Sequence, residues 1–149
     1  MIYTSLLLIH IIAAIVGLGP SFAMGAMLKA SKTKHKILWT MELFKKIEKF
    51  SKIGNITLLL TGIAMALVNS SLWKEGWFIT SILIYVAVQF ITIGKIPKSH
   101  QEQERMLRET QDEELPPPYI ASVQNLKPYN AIVHSAAIVL IVLMVLKPF

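Results

Sequence analysis

Cysteine is absent, which excludes disulfides, thiolate metal sites, iron–sulfur clusters and a cysteine nucleophile in any compartment. Charge is scarce too: only 16% of the 149 residues are Asp, Glu, Lys or Arg, against about 25% in soluble domains. The missing charge is replaced by grease, with 54% of residues hydrophobic, so a water-soluble fold is not expected. Acids are fewest, nine against fifteen basic residues, for a formal charge of +6. No phosphate-binding glycine loop, zinc spacing, hydrolase elbow or long internal repeat is present.

What is present is four stretches without a single Asp, Glu, Lys or Arg: Ile2 to Leu28, Ile53 to Trp73, Gly76 to Gly94 and Pro128 to Leu146. At 1.5 Å per residue each reaches roughly 28 to 40 Å as a helix, enough to cross a hydrocarbon core of about 30 Å. Helices of a soluble bundle would show a charged face every turn, and barrel strands would alternate, so four transmembrane helices are predicted. The fold class is therefore all-α: one transmembrane domain over residues 1–149, an antiparallel four-helix bundle. Basic residues set its orientation. Residues 29–52 carry eight Lys and residues 95–127 carry five Lys and Arg, whereas only Lys74 and Lys147 lie on the other side. Both termini should face outward and both long loops the cytoplasm, with the first helix retained rather than cleaved as a signal. The basic excess thus reports orientation and not nucleic-acid binding. Trp73 and Trp77 fit an outer interfacial belt, and Trp39, Tyr119 and Tyr129 an inner one.

The connections carry further expectations. Helices two and three are joined by a short turn around Lys74, Glu75 and Gly76 and must be antiparallel neighbours. Residues 37–50 mix apolar and basic side chains at helical spacing, which fits an amphipathic helix on anionic lipid or a solvated extension of helix two. Residues 98–114 have four-residue ion-pair spacings but hardly any apolar face, as expected of a solvated extension of helix three. Pro116, Pro117 and Pro118 should end that extension, and helix four should restart near Pro128. His35 and His100 are expected to be solvated.

On helix one, Ala13, Gly17, Ser21 and Gly25 recur every four residues, a small-residue stripe for close packing against another helix. His10 projects from the same face, toward the bundle interior. Pro20 removes a backbone donor within the span and should kink it. Ser21, Asn55, Thr61, Gln89, Asn130 and His134 fall in the cytoplasmic half of the spans, consistent with a polar pocket around His134 and Gln89 that opens inward, or with separate interhelical hydrogen bonds. His10 and His134 are the only histidines within spans. Imidazoles on facing helices with an apolar slot between them are what a b-type haem needs, while structural hydrogen bonding and proton transfer are the other roles open to them. Their depths differ, about 12 Å below the outer surface for His10 and about 21 Å for His134. Met24 and Met27 are read as packing residues rather than a Cu(I) site, and no metal site is expected.

The first span, LLLIHIIAAIVGLGPSFAMGAMLKA, and the ending IVLIVLMVLKPF resemble a bacterial family of four-span integral membrane proteins catalogued as a domain of unknown function. That resemblance runs essentially end to end and implies a multi-pass protein of the bacterial cytoplasmic membrane, with a terminal Lys-Pro, here Lys147-Pro148. The segment LIHIIAAIVGLG is also distantly similar to the first helix of the J-type protoporphyrinogen oxidase and of copper-resistance D-type membrane proteins. The former implies haem b with the first-helix His, here His10, as one ligand and a third-span lysine as the other. In this chain the third span has no lysine, and Lys95 falls just after it. The functional expectation is a haem-binding or redox-associated membrane protein rather than an enzyme acting alone. The alternatives are a non-enzymatic accessory subunit that uses the small-residue face against a partner or a second copy, and a small transporter working as an oligomer. Lipid, anionic at the cytoplasmic face, is the partner expected in every case.

Overall fold

The computed structural model describes residues 1–149 and is almost entirely helical, without a strand. Four long helices follow one another: α1 (Ile2–Ala30), α2 (Lys34–Val68), α3 (Gly76–Glu109) and α4 (Pro117–Leu146). Three residues connect α1 to α2, where Thr33 caps α2 by accepting the Lys36 N–H and Ser31 turns back to the Met27 carbonyl. A single 3₁₀ turn, Ser70–Lys74, connects α2 to α3. Such short links leave antiparallel packing as the only option. α1 packs along α2 and α3 along α4, so the molecule is two helical hairpins with a looser seam between them.

The four charge-free runs account for only part of these helices. At 35 residues α2 is about 52 Å long, well beyond a hydrocarbon core. Its first half, and the Lys95–Glu109 half of α3, project past the apolar zone at the basic end of the molecule. Within that zone Leu8, Ile11, Ile15, Ile56, Leu60, Leu83 and Ile141 point outward and are exposed. Only 17% of the most apolar window of α1 is buried by protein, so the remaining apolar surface needs lipid to cover it.

Several boundaries differ from the sequence expectation. Helix two begins at Lys34 rather than near Ile53 and ends at Val68 rather than Trp73. Residues 37–50 are an extension of helix two, one of the two expected arrangements, with an exposed basic face, but Ile37, Met41 and Phe44 form a buried stripe on the other. Helix three does continue, as expected, and runs to Glu109, though through an unforeseen six-residue π turn, Phe90–Lys95. Helix four starts eleven residues before Pro128: Pro116 caps it and Pro117 opens it, because proline lacks only an N–H that the first turn leaves unpaired anyway. The projecting segments close on one another around Ile37, Met41, Leu107 and Tyr119, a second core outside the apolar zone. Tyr119 is therefore buried there rather than part of an interfacial belt.

Residues 98–114 looked too polar to pack, yet Leu107 and Gln103 are the largest fully buried side chains of the chain. Gln103 reaches Ser122 on α4 at 3.2 Å, which satisfies its amide. Glu104 is paired twice, with Lys45 of α2 at 2.5 Å and Arg108 at 3.0 Å, and Arg108 goes on to Glu42 at 2.6 Å. Burial alone would raise the Glu104 pKa, but its hydrogen bonds to Lys45 and Arg108 outweigh it and hold the carboxyl below its ordinary value.

Inside the apolar zone the tightest contact lies between α1 and α2. A Cβ placed on Gly54 would fall 2.5 Å from the Gly17 nitrogen, 2.8 Å from its Cα and 3.0 Å from the Ala13 carbonyl oxygen, all backbone atoms that cannot swing aside. Ala13 and Gly17 of the small-residue stripe are thus buried against α2, Ser21 is half-buried, and Gly25 has open space around it.

Two outcomes follow. Gly54→Ala must push the helices apart and should lower stability by about 1–3 kcal/mol, whereas Gly25→Ala should leave it unchanged; thermal unfolding in detergent distinguishes them. A carboxylate with a depressed folded pKa contributes stability above its unfolded pKa, about 4.3 for Glu, and loses it as pH falls through the lower folded value. The unfolding temperature should therefore drop below about pH 4, and Glu104→Gln should flatten that drop.

Candidate functional site

The seam between the hairpins holds a cavity of about 350 Å³, lined by 21 residues, 17 of them hydrophobic, from all four helices. It runs from Tyr3, Leu72, Trp77 and Lys147 at the end that carries the termini down to Leu18, Leu58 and Tyr85. His10 lies part-way along it and is buried. The site exists because the α1–α2 and α3–α4 pairs are each close-packed while the seam between them is not. Gly17 against Gly54 sets the register of the first pair, and one to two turns farther out that register brings His10 beside Thr61 and Gly62.

The imidazole is oriented by one hydrogen bond, His10 Nδ1 to Thr61 Oγ1 at 2.8 Å. The Thr61 hydroxyl has a single proton, and it sits 2.7 Å from the Thr57 carbonyl, which can only accept. With that proton given to the Thr57 carbonyl, the hydroxyl accepts from His10, an assignment that puts the ring proton on Nδ1 and leaves the Nε2 lone pair free. No protein group hydrogen-bonds to Nε2. Gly62 makes room for the ring, since a Cβ there would stand 3.5 Å from His10 Cε1. Two other polar groups of the cavity wall are satisfied within the protein: Ser81 donates to the Trp77 carbonyl at 2.7 Å and Tyr85 to the Asn55 carbonyl at 2.8 Å. An uncommitted imidazole nitrogen in an apolar chamber is a ligand for a metal centre or an acceptor for a proton, and little else.

His134 lies elsewhere. Its Nε2 donates to the Ser21 carbonyl at 3.3 Å and its ring stacks on Phe22, with centroids 4.5 Å apart. That places it eleven residues along α1 from His10, roughly 16 Å by helix rise. The two histidines do not face one another, and a single iron cannot be held between them. The six residues read as a polar pocket likewise disperse. Thr61 serves His10. Asn55 lies on Gly17, with Nδ2 3.5 Å from its carbonyl and Oδ1 buried without a conventional partner. Gln89, Asn130 and His134 are half-buried and line neither of the two principal cavities.

The second cavity, of about 200 Å³, lies at the basic end, between Pro20, Ser51, the π turn of α3 and the Lys45–Glu104 pair. Ser21 and Met24 line it. His100, expected to be solvated, is half-buried there; its Nδ1 has no partner, and burial lowers its pKa. His35 is exposed, as expected. The groups missed in the sequence were the helix-two side of the contact and the role of the terminal lysine. Gly54 and Gly62 are separated by eight residues, nearly matching the seven between His10 and Gly17 on the antiparallel helix; that match was the available signal.

The family model described as Predicted integral membrane protein (DUF2269) matches residues 4–148. No curated protein and no solved structure matches the chain.

Proposed function

We infer that this chain, which belongs to the DUF2269 family of predicted integral membrane proteins, holds haem b in the seam between its two helical hairpins, with His10 as an axial ligand. The observation that carries this reading is the His10 imidazole: its Nδ1 lies 2.8 Å from Thr61 Oγ1, and its Nε2, without a partner in the protein, belongs to the wall of an apolar chamber. Ligating histidines characteristically donate their second N–H to a neighbouring oxygen, which fixes the ring and raises its basicity. The surroundings suit a macrocycle, being almost wholly aliphatic and aromatic. At about 350 Å³ the chamber is near the small end of ligand sites, so part of a porphyrin would extend along the seam toward lipid.

With His134 three turns away, the opposite axial position falls to a residue of the same chamber. Met65 and Met144 line it, and with their thioether sulfurs they are the residues that could hold the group together with His10. Bound haem would supply one-electron chemistry. The protein's own part is to fix the ring at His10, exclude water with the apolar wall and set the depth of the group in the bilayer. Ala13 and Gly17, the stripe that suggested an accessory subunit, are already packed against α2 within the chain, which favours the cofactor reading over a partner on that face.

The test is the absorption spectrum of protein expressed with ample haem and purified in detergent. A Soret band is expected in the wild type and in His134→Ala, and its loss in His10→Ala with helical content preserved. Thr61→Val, which keeps shape but removes the acceptor for Nδ1–H, should weaken haem retention about 10–100-fold. A wild-type protein without a Soret band overturns the reading.

A further inference from the structure

Few polar groups of the seam cavity remain uncommitted once Ser81, Tyr85 and His10 Nδ1 are bonded within the protein. They are the imidazole Nε2, the Tyr3 hydroxyl, the Trp77 indole N–H and, at the rim, the ammonium of Lys147. Lys147 takes part in none of the ion pairs of the chain. Its Nζ stands 5.7 Å from the ring centre of Trp77, which lines the same cavity, so the cation is held at the rim by an aromatic face and not by an acid.

The backbone puts it there at some cost. Lys147 closes α4 with φ 46 and ψ 58, the left-handed conformation that glycine normally supplies at a helix end, and it is the only non-glycine residue with positive φ. Contacts on both sides hold the turn. The Lys147 N–H donates to the Leu143 carbonyl and the Trp77 N–H to the Phe149 carbonyl, each at 2.9 Å. The Phe149 ring covers Gly76, where a Cβ would come within 2.5 Å of its Cδ2. Residues 147–149 therefore fold back across the start of α3. The Ser21–His134 contact sets α1 against α4 so that His10 is level with about Val145, and Lys147 stands roughly 3 Å farther out by helix rise.

We propose that Lys147 pairs with a carboxylate on the molecule held in the seam, so that the site selects a flat or extended apolar body whose acidic end faces the outer rim. The proposal rests on the His10 reading for the depth of the ligand and on Lys147 alone for its charge. Haem meets this description with its propionates at the rim and its apolar edge among Leu58, Tyr85 and Leu140. A long-chain fatty acid presents the same chemistry.

Wild-type protein, Lys147→Met and Lys147→Arg in a nonionic detergent are titrated with protohaem and with its dimethyl ester, followed at the Soret band. The wild type should bind the diacid about fivefold more tightly than the ester, the size of one partly screened ion pair. Lys147→Arg should keep that preference and Lys147→Met should lose it. Equal binding of acid and ester by the wild type, or an undiminished preference in Lys147→Met, overturns the proposal. If neither haem form shifts its Soret band on addition of the protein, the His10 reading fails by itself. A fluorescent fatty acid and its methyl ester then decide for Lys147: a preference for the acid that disappears in Lys147→Met supports the pairing, and no preference, or no binding, overturns it.

Discussion

Where Gly54 of α2 meets Gly17 of α1, no side chain intervenes and backbone lies on backbone. In lipid, where apolar side chains gain little from leaving one apolar surroundings for another, this close approach supplies the dispersion contacts that hold two helices together. It also brings polar groups within reach of otherwise inaccessible partners. Ser51 donates to the Gly17 carbonyl at 2.6 Å, and His10 meets Thr61. A spacing wider by the thickness of one methyl group would lengthen each of these bonds. The orientation of the imidazole is thus a consequence of two absent side chains.

The chain folds in two solvents at once. Between the termini and the π turn, the helices show lipid an apolar surface and keep only a thin protein interior. At the basic end, the projecting halves of α2 and α3 and the first turns of α4 form a compact core with ion pairs on its surface. The two parts share the same helices, so a change in one is transmitted along rigid rods to the other. Glu104, which joins Lys45 of α2 to Arg108, therefore fastens the second hairpin to the first at the end opposite the seam cavity.

The parts of this architecture that could be read from the amino acids were those governed by transfer from water to hydrocarbon. Four charge-free runs gave four membrane-crossing helices, because an unpaired charge at mid-bilayer is costly whatever surrounds it. The basic-end core was not legible for the opposite reason. Gln103 and Glu104 are buried because specific partners, Ser122 and Lys45, happen to reach them, and hydrophobic periodicity cannot register such pairs. The proline run was read as a stop because successive prolines end a helix, although they open one equally well. For the candidate site, the face carrying His10, Ala13 and Gly17 followed from spacing on one helix. What spacing on one helix could not provide was the register of its neighbour, which separates His134 from His10 and brings Lys147 to the same cavity.

The six residues Phe90–Lys95 close wider rings of backbone hydrogen bonds than the helix on either side. One surplus residue in such a loop advances the helical phase by about 100°. The half of α3 bearing Tyr85 and the half bearing Leu107 are accordingly clocked differently about a common axis, like the throws of a crankshaft. Each can face its own neighbours without the rod being cut. With one residue fewer in that turn, Leu107 would swing by about 100° away from its partners, so the wide turn is what lets a single helix serve two unrelated interiors.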